Sequence, residues 1–224
     1  MQIINWVDIS ENSKALPFAG GDQLFGDWGM NDNRQLGLKA QATRTRVEKA
    51  ACRLFVAQGI TETTTKDIAA EAEVSEGTIY RYFATKEELA FTLFSEIHTR
   101  LADAVTKAHT PFPGIADKTR AIIRAYCTQA DKDWLHFSYH LLAQHMMLRH
   151  LPDDHPNPNA IATGLIEAAI KQGEIPERNA QVLTSALLGL VLQPAIAKIY
   201  GHDTGLLSSH ADWLGDAAVR ILEG

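Results

Sequence analysis

Cysteine is scarce in this chain. Cys52 and Cys127 are the only two among 224 residues, and neither has a partner at metal-ligand spacing. A disulfide framework has nothing to build on, and two buried thiols in a reduced compartment is the reading. Long apolar runs are lacking too. The longest, Ala186 to Leu192, stops at Gln193-Pro194, so nothing reads as a membrane span. No basic cluster precedes an apolar stretch at the N-terminus, so no signal peptide is read, and a cytoplasmic location is expected. Basic charge is in short supply: the net charge is −6, where a nucleic-acid binder usually shows a basic footprint. Catalytic signatures are absent as well, with no nucleophile elbow, phosphate-cradling glycine loop or HExxH. No catalytic residue, cofactor or metal site is expected.

What is present is globular in kind, with 46% hydrophobic and 21% charged residues. Residues 1–40 have scattered aromatics and glycines but no sustained period. Three readings stay open for them: a disordered extension, upstream sequence ahead of a true start at Met30, or an ordered arm. From about Thr43 the chain reads as helices throughout. Val47, Ala50, Ala51, Leu54 and Phe55 make one apolar face, and Gly59 is a natural C-cap. A long helix from Thr85 to about Lys107 carries Leu89, Leu93, Ile97 and Leu101 in steps of four. Pro111 to Gly114 then breaks the pattern. Further helices are expected over about 115–130, 133–150, 159–172, 179–200 and 206–222. Pro194 should kink the fourth of these or shift its course.

The informative stretch is Thr63 to Leu89. Thr64 caps a helix with Asp67 as reciprocal partner, Ser75 caps a very short one, and Thr85 with Glu88 opens the long one. Helix, tight turn, helix is the helix-turn-helix plan, whose second helix enters a DNA major groove. The residue order resembles the TetR family of transcriptional regulators. The matching residues are Gly59, Thr63, Thr64, Ile68, Ala69, Ala72, Val74, Ser75, Gly77, Thr78, Tyr80, Phe83, Lys86 and Leu89, dense over about residues 43–98. Two positions depart from the family pattern: Glu73 stands where the turn often has Gly, and Glu76 where a basic or small polar residue is common.

The proposed DNA surface combines Arg44, Thr64, Thr65, Lys66, Glu76, Gly77, Thr78, Tyr80, Arg81, Tyr82 and Lys86. Thr64, Thr65 and Lys66 gather hydroxyls, backbone N–H groups and a cation at a helix start, a ready phosphate site. Thr78 and Arg81 reach base edges, and Tyr80 and Tyr82 offer hydroxyls to phosphate. Glu76 either accepts from cytosine N4 or repels phosphate. Lys86 lies in a first helical turn, where the dipole disfavours a cation, so an external anion is its expected partner.

The resemblance implies a C-terminal domain that dimerises and holds a small-molecule effector. Phe94, Trp134, Phe137, His140, Leu141 and Met146 are candidate pocket residues, each with plain core as the alternative. His136 and His140 share a helical face, but with no matching acidic or thiol ligand a metal is the lesser reading. In the family the final helix pair forms a dimeric four-helix bundle. Here that implies an interface of Leu183, Leu187, Leu190, Val191, Trp213, Leu214, Ala217 and Ile221, with intramolecular core as the alternative. Two-fold symmetry would also double the few base pairs one short helix can read.

The expectation is therefore an all-α protein. Residues 1–40 form an extension, 41–98 a three-helix DNA-binding domain, and 99–224 an effector-binding and dimerisation domain. Its partners would be a palindromic double-stranded operator, a second copy of itself and a small-molecule effector that releases the DNA, with repression the expected role and no membrane involved. A helical DNA-binding dimer without a ligand, or an enzyme processing a small molecule, are the alternatives.

Overall fold

In a computed structural model the described residues are 37–202 and 204–224, and the readings for residues 1–36 lie outside them. All the regular structure among the described residues is helical: α1 (Leu38–Gln58), α2 (Thr65–Glu71), α3 (Glu76–Tyr80), α4 (Lys86–His109), α5 (Ile115–Lys132), α6 (Trp134–Met147), α7 (Pro158–Lys171), α8 (Ala180–Ile199) and α9 (Ala211–Glu223). Short 3-10 turns, Leu148–His150 and Leu207–His210, follow α6 and precede α9. Helix α1 begins at Leu38, inside the segment expected to be extension, because Gly37 O accepts from the Ala40 and Gln41 amides.

The caps explain most of the boundaries. Thr64 Oγ1 accepts from the Asp67 amide at 3.1 Å while Asp67 Oδ2 accepts from the Thr64 amide at 3.0 Å, a complete capping box. Ser75 Oγ accepts from the Thr78 amide, and Thr85 Oγ1 from the Glu88 amide. Glu88 then reaches past the cap to the Ala84 amide rather than closing a box on Thr85. Asn157 and Asn179 cap α7 and α8 in the same way.

Helix α4 is the axis of the packing. Leu89, Leu93, Ile97 and Leu101 are all buried, as the steps of four predict. Phe94, Ala90, Ala102 and Val105 are buried as well, so α4 meets neighbours on several sides: α1, α5, α6 and α7. Each fully buried leucine or phenylalanine contributes about 1.5–3 kcal/mol of transfer free energy. The helix crosses the expected boundary at residue 98 unbroken, and the described residues belong to one compact unit. Two polar links tie α1 and α4 to α6. Tyr139 donates its buried hydroxyl to Ala90 O at 2.7 Å, and Cys52 Sγ lies 3.7 Å from Leu135 O. Cys52 and Cys127 are free and buried, and desolvation pushes their thiols up to about 12 and about 11.

Helix α8 continues through Pro194, which has no amide to donate. It is also long and apolar enough to cross a membrane by composition alone, with mean hydropathy 1.7, because Gly, Thr and Ser interrupt its apolar runs without lowering the average much. Only part of its surface is buried within the chain: Leu183, Thr184, Leu187, Val191 and Ala195. Leu183, Leu187, Val191 and, on α9, Leu214 thus belong to the protomer's own core and not to an outer face. A helix apolar all round gives no sequence signal for which side faces in. Leu190, Ala217 and Ile221 are half-buried, and Trp213 is 65% exposed. The outer face of α8 is instead Val182, Ala186, Gly189 and Gln193.

Candidate nucleic-acid interface and interior cavities

Helices α2 and α3 are joined by a turn in which Glu73 takes the left-handed conformation, φ 52°. This is the position where glycine was the family expectation, and the geometry gives the reason. Arg46 holds the turn from below: its guanidinium donates to Ala72 O at 2.6 Å and to Glu73 O at 2.9 Å. Its guanidinium is thereby engaged within the fold.

Helix α3 rests on one buried side chain, Ile79, with Phe83 buried just beyond it. The rest of its surface points outward. Glu76, Gly77 and Arg81 are exposed, Tyr80 is 53% exposed, and Thr78 and Tyr82 are half-buried. A Cβ at Gly77 would meet only Ser75 Oγ at 3.9 Å, so the fold itself does not require glycine there. Thr64 and Lys66 are exposed at the start of α2, beside this surface. Thr65 Oγ1 links the two helices: it donates to Glu76 Oε2 at 3.1 Å and lies 3.4 Å from the Tyr80 hydroxyl. The Glu76 carboxylate is therefore oriented by a neighbour before any ligand arrives, a contact that no sequence signal announced.

Two expected phosphate contacts have partners inside the chain. Lys86 Nζ donates to Thr63 O at 2.7 Å and to Thr61 O at 3.2 Å. These carbonyls precede α2, so the ammonium of α4 braces the loop that positions the candidate DNA-binding helices. An external anion was the expected partner of Lys86; within the chain its partners are these two carbonyls. Arg44 donates to Glu48 at 2.6 Å and to Glu96 on α4 at 3.3 Å, with its guanidinium 5.3 Å from the centre of the Phe83 ring. Its visible work is to hold α1, α4 and the end of the α3 turn together.

The C-terminal helices enclose two cavities. The first, about 40 Å³, is apolar and lies between α5, α7 and α8, with Ile123, Ile166, Leu187 and Val191 in its wall. The second, about 30 Å³, is walled by α4, α5, α6, α7 and α8 and is more polar. Of the six pocket residues expected from sequence, Phe137, His140 and Leu141 line this second cavity. Phe94 is fully buried behind it, stacked on the His140 ring at 4.7 Å. Trp134 packs instead against Phe137 and under the Lys198 ammonium, and Met146 lines neither cavity. His98, Tyr126, Gln144 and Asn159, none of them singled out from sequence, complete the polar wall. His98 was hidden by its place on α4 among leucines. His98 Nδ1 lies 2.9 Å from His140 Nε2. Burial, with His155 nearby, holds His98 down to about 4; burial, with His98 nearby, holds His140 down to about 3. His136 bonds to Asp133, not to His140, and no metal-binding cluster of three or more His, Cys, Asp or Glu occurs among the described residues.

Comparison with known proteins adds three findings. Residues 49–93 match the family model for bacterial regulatory proteins of the tetR family. The chain is 34% identical over 88 residues to the HTH-type transcriptional regulator TcmR of Streptomyces glaucescens, an overlap of 38% of this chain and only 39% of that one. The fold extends much further. A TetR family transcription regulator of Marinobacter aquaeolei superposes with a TM-score of 0.68 at 16% identity, covering 82% of this chain and 97% of that one. The transcriptional regulator FadR of Bacillus subtilis, solved in complex with stearoyl-CoA, superposes with a TM-score of 0.62 at 18% identity, covering 78% and 97%.

Proposed function

We propose that the chain is a DNA-binding transcriptional regulator of the tetR kind, acting in the cytoplasm, a reading supported by the match of residues 49–93 to the family model and by the all-helical fold. It binds a palindromic operator as a homodimer and releases it when a small molecule occupies the C-terminal helices. Repression by occupancy is the simplest output of such a device. Residues 41–98 form the DNA-binding region, and residues 99–224 form the dimerisation and effector region.

The observation that carries this reading is the exposed face of α3. Gly77, Thr78, Tyr80 and Arg81 stand outward on a helix anchored by Ile79, with Thr64 and Lys66 alongside. Hydroxyls and one cation at the start of α2 suit phosphate, while Thr78 and Arg81 suit base edges. Glu76, oriented by Thr65, suits the N4 amino group of cytosine. Thr65 and Tyr82 complete the surface. Lys86 and Arg44 serve it indirectly, by bracing the loop before α2 and the base of α3.

Dimerisation rests on the outer face of α8. Val182 and Tyr200 are 64% and 74% exposed, with small Ala186 and Gly189 between them and Trp213 of α9 also exposed. An isologous contact there would place two α3 helices on one duplex. That FadR was solved with stearoyl-CoA supports a ligand-bound state for this fold, and says nothing of which ligand this chain takes.

The test is selection of bound duplexes from a random pool at stated salt. A two-fold symmetric consensus with half-sites one helical turn apart is expected. A pool that returns no consensus, with binding equal to that of unselected duplex, contradicts the reading.

A further inference from the structure

We infer that the cavity between α4 and α6 takes a small uncharged ligand through a hydroxyl group, recognised by the His98–His140 pair. The inference rests on the effector reading above and names the ligand chemistry.

His98 is a buried polar residue, and its Nε2 is a buried atom with no hydrogen-bond partner. Leaving such an atom unsatisfied costs about 1–3 kcal/mol, so a built-in orphan lining a cavity points to a ligand. The pair has a property that neither ring has alone. If His98 Nδ1–H donates to His140 Nε2, then His98 Nε2 is an acceptor and His140 Nδ1 carries the proton. If His140 Nε2–H donates, the roles reverse. The two outer nitrogens therefore always differ, one donor and one acceptor, and they exchange together. A hydroxyl, which is both donor and acceptor, satisfies His98 Nε2 in either state.

The cavity wall supplies no formal charge. Its polar members are His98, His140, Gln144, Asn159 and Tyr126, and the remaining lining is apolar. Burial keeps both imidazoles neutral near pH 7. A carboxylate or phosphate would enter without a counter-charge, and so would an ammonium. The amides of Gln144 and Asn159 make no side-chain hydrogen bond among the described residues, and are free to take a second polar atom. Tyr126 borders both cavities. The rings also connect the site to the DNA-binding end. Phe94 and His98 are on α4, both stack with His140, and Lys86 braces the Thr61–Thr63 loop from the start of the same helix. From His98 to Lys86 is about 18 Å along the helix at ~1.5 Å per residue.

The experiment is calorimetric titration of the full chain at pH 7.5 with four probes that share a ring: benzyl alcohol, toluene, benzoate and benzylammonium. Benzyl alcohol is expected to bind at least tenfold more tightly than the other three. His98→Phe should weaken benzyl alcohol at least tenfold and leave toluene unchanged or stronger. Nitrogen NMR of the wild-type chain labelled on histidine keeps the test independent of that variant's folding: benzyl alcohol should shift the His98 and His140 nitrogens and leave those of His136 in place. Equal binding of toluene, tighter binding of either ion, no binding of any probe, or unmoved His98 nitrogens overturns the inference. Operator selection fails or succeeds separately. Selected operator without alcohol binding removes this ligand class alone, and alcohol binding without operator removes the regulator reading.

Discussion

Glu73 adopts φ 52° in the turn between α2 and α3, a conformation that costs a non-glycine residue roughly 1–2 kcal/mol. Its side chain is exposed, and its backbone makes the turn's bonds to Ala70 O and from Arg46. Glu73→Gly is therefore expected to stabilise the fold by about 0.5–1 kcal/mol after glycine's own entropy is counted. A rise in melting temperature of about 2–4 °C per kcal/mol is the readout. Histidine supplies a second prediction. His98 and His140 are held at about 4 and about 3, below the unfolded value near 6.5, chiefly by burial. The unfolded chain binds protons between these values that the folded chain refuses, so stability is full above about pH 6.5 and falls as pH drops toward 4. The slope from each ring is at most about 1.4 kcal/mol per pH unit. Melting temperatures at pH 7 and pH 5 should differ more for the wild type than for a His98→Phe/His140→Leu variant. Sequence made Glu73 visible as a departure from pattern. It did not make His98 visible, because a lone histidine on a leucine-rich helix has no meaning until His140 is brought to it from 42 residues away.

Helix starts were legible because caps are local: Thr64 with Asp67, Ser75 and Thr85 each act within three residues. The α4 stripe was legible for the same reason, since Leu89 to Leu101 repeat at one period. The bracing of loop by helix was not, because Lys86 meets Thr61 and Thr63 carbonyls across 25 and 23 residues. This separates two lysines that sequence treated alike. Lys86→Ala should cost about 1–3 kcal/mol of stability through lost charge-assisted bonds, and weaken DNA binding as a consequence. Lys66→Ala, at an exposed site, should leave the melting temperature unchanged and lower the salt slope of DNA binding by about one. Thermal melting and anisotropy titrations at several salt concentrations, on both variants, distinguish the roles.

At the scale of the whole molecule, α4 runs from the Lys86 brace on the loop before α2 to the cavity that contains His98, and α4 and α6 both pack on α1. In the proposed dimer, a ligand that shifts α4 would move the spacing of two α3 helices away from the roughly 34–36 Å that successive major grooves require. A coupling of about 1–3 kcal/mol changes affinity 5- to 150-fold, and operator must weaken ligand binding by the same factor. The proposed dimer rests, in the sequence, only on an excess of apolar surface on α8 and α9. Which residues face outward depends on how α8 rolls against α5, α6, α7 and α9, and no local pattern encodes that. Gly189 is exposed and has nothing within 4 Å of a built Cβ. Gly189→Arg is thus expected to leave the protomer folded and to convert a dimer into a monomer by sedimentation velocity. An unchanged dimer would move the interface elsewhere. The central claim, that the exposed face of α3 reads DNA, is tested most directly by anisotropy titration of the wild type and Arg81→Ala with the selected duplex and with a scrambled one, across a salt series. The account predicts linear loss of log affinity with log salt for the wild type, and a preference of about 10³ or more for the selected duplex. It also predicts a preference reduced by about 1–3 kcal/mol in Arg81→Ala. Equal affinity for both duplexes, or an Arg81→Ala preference identical to that of the wild type, would contradict it.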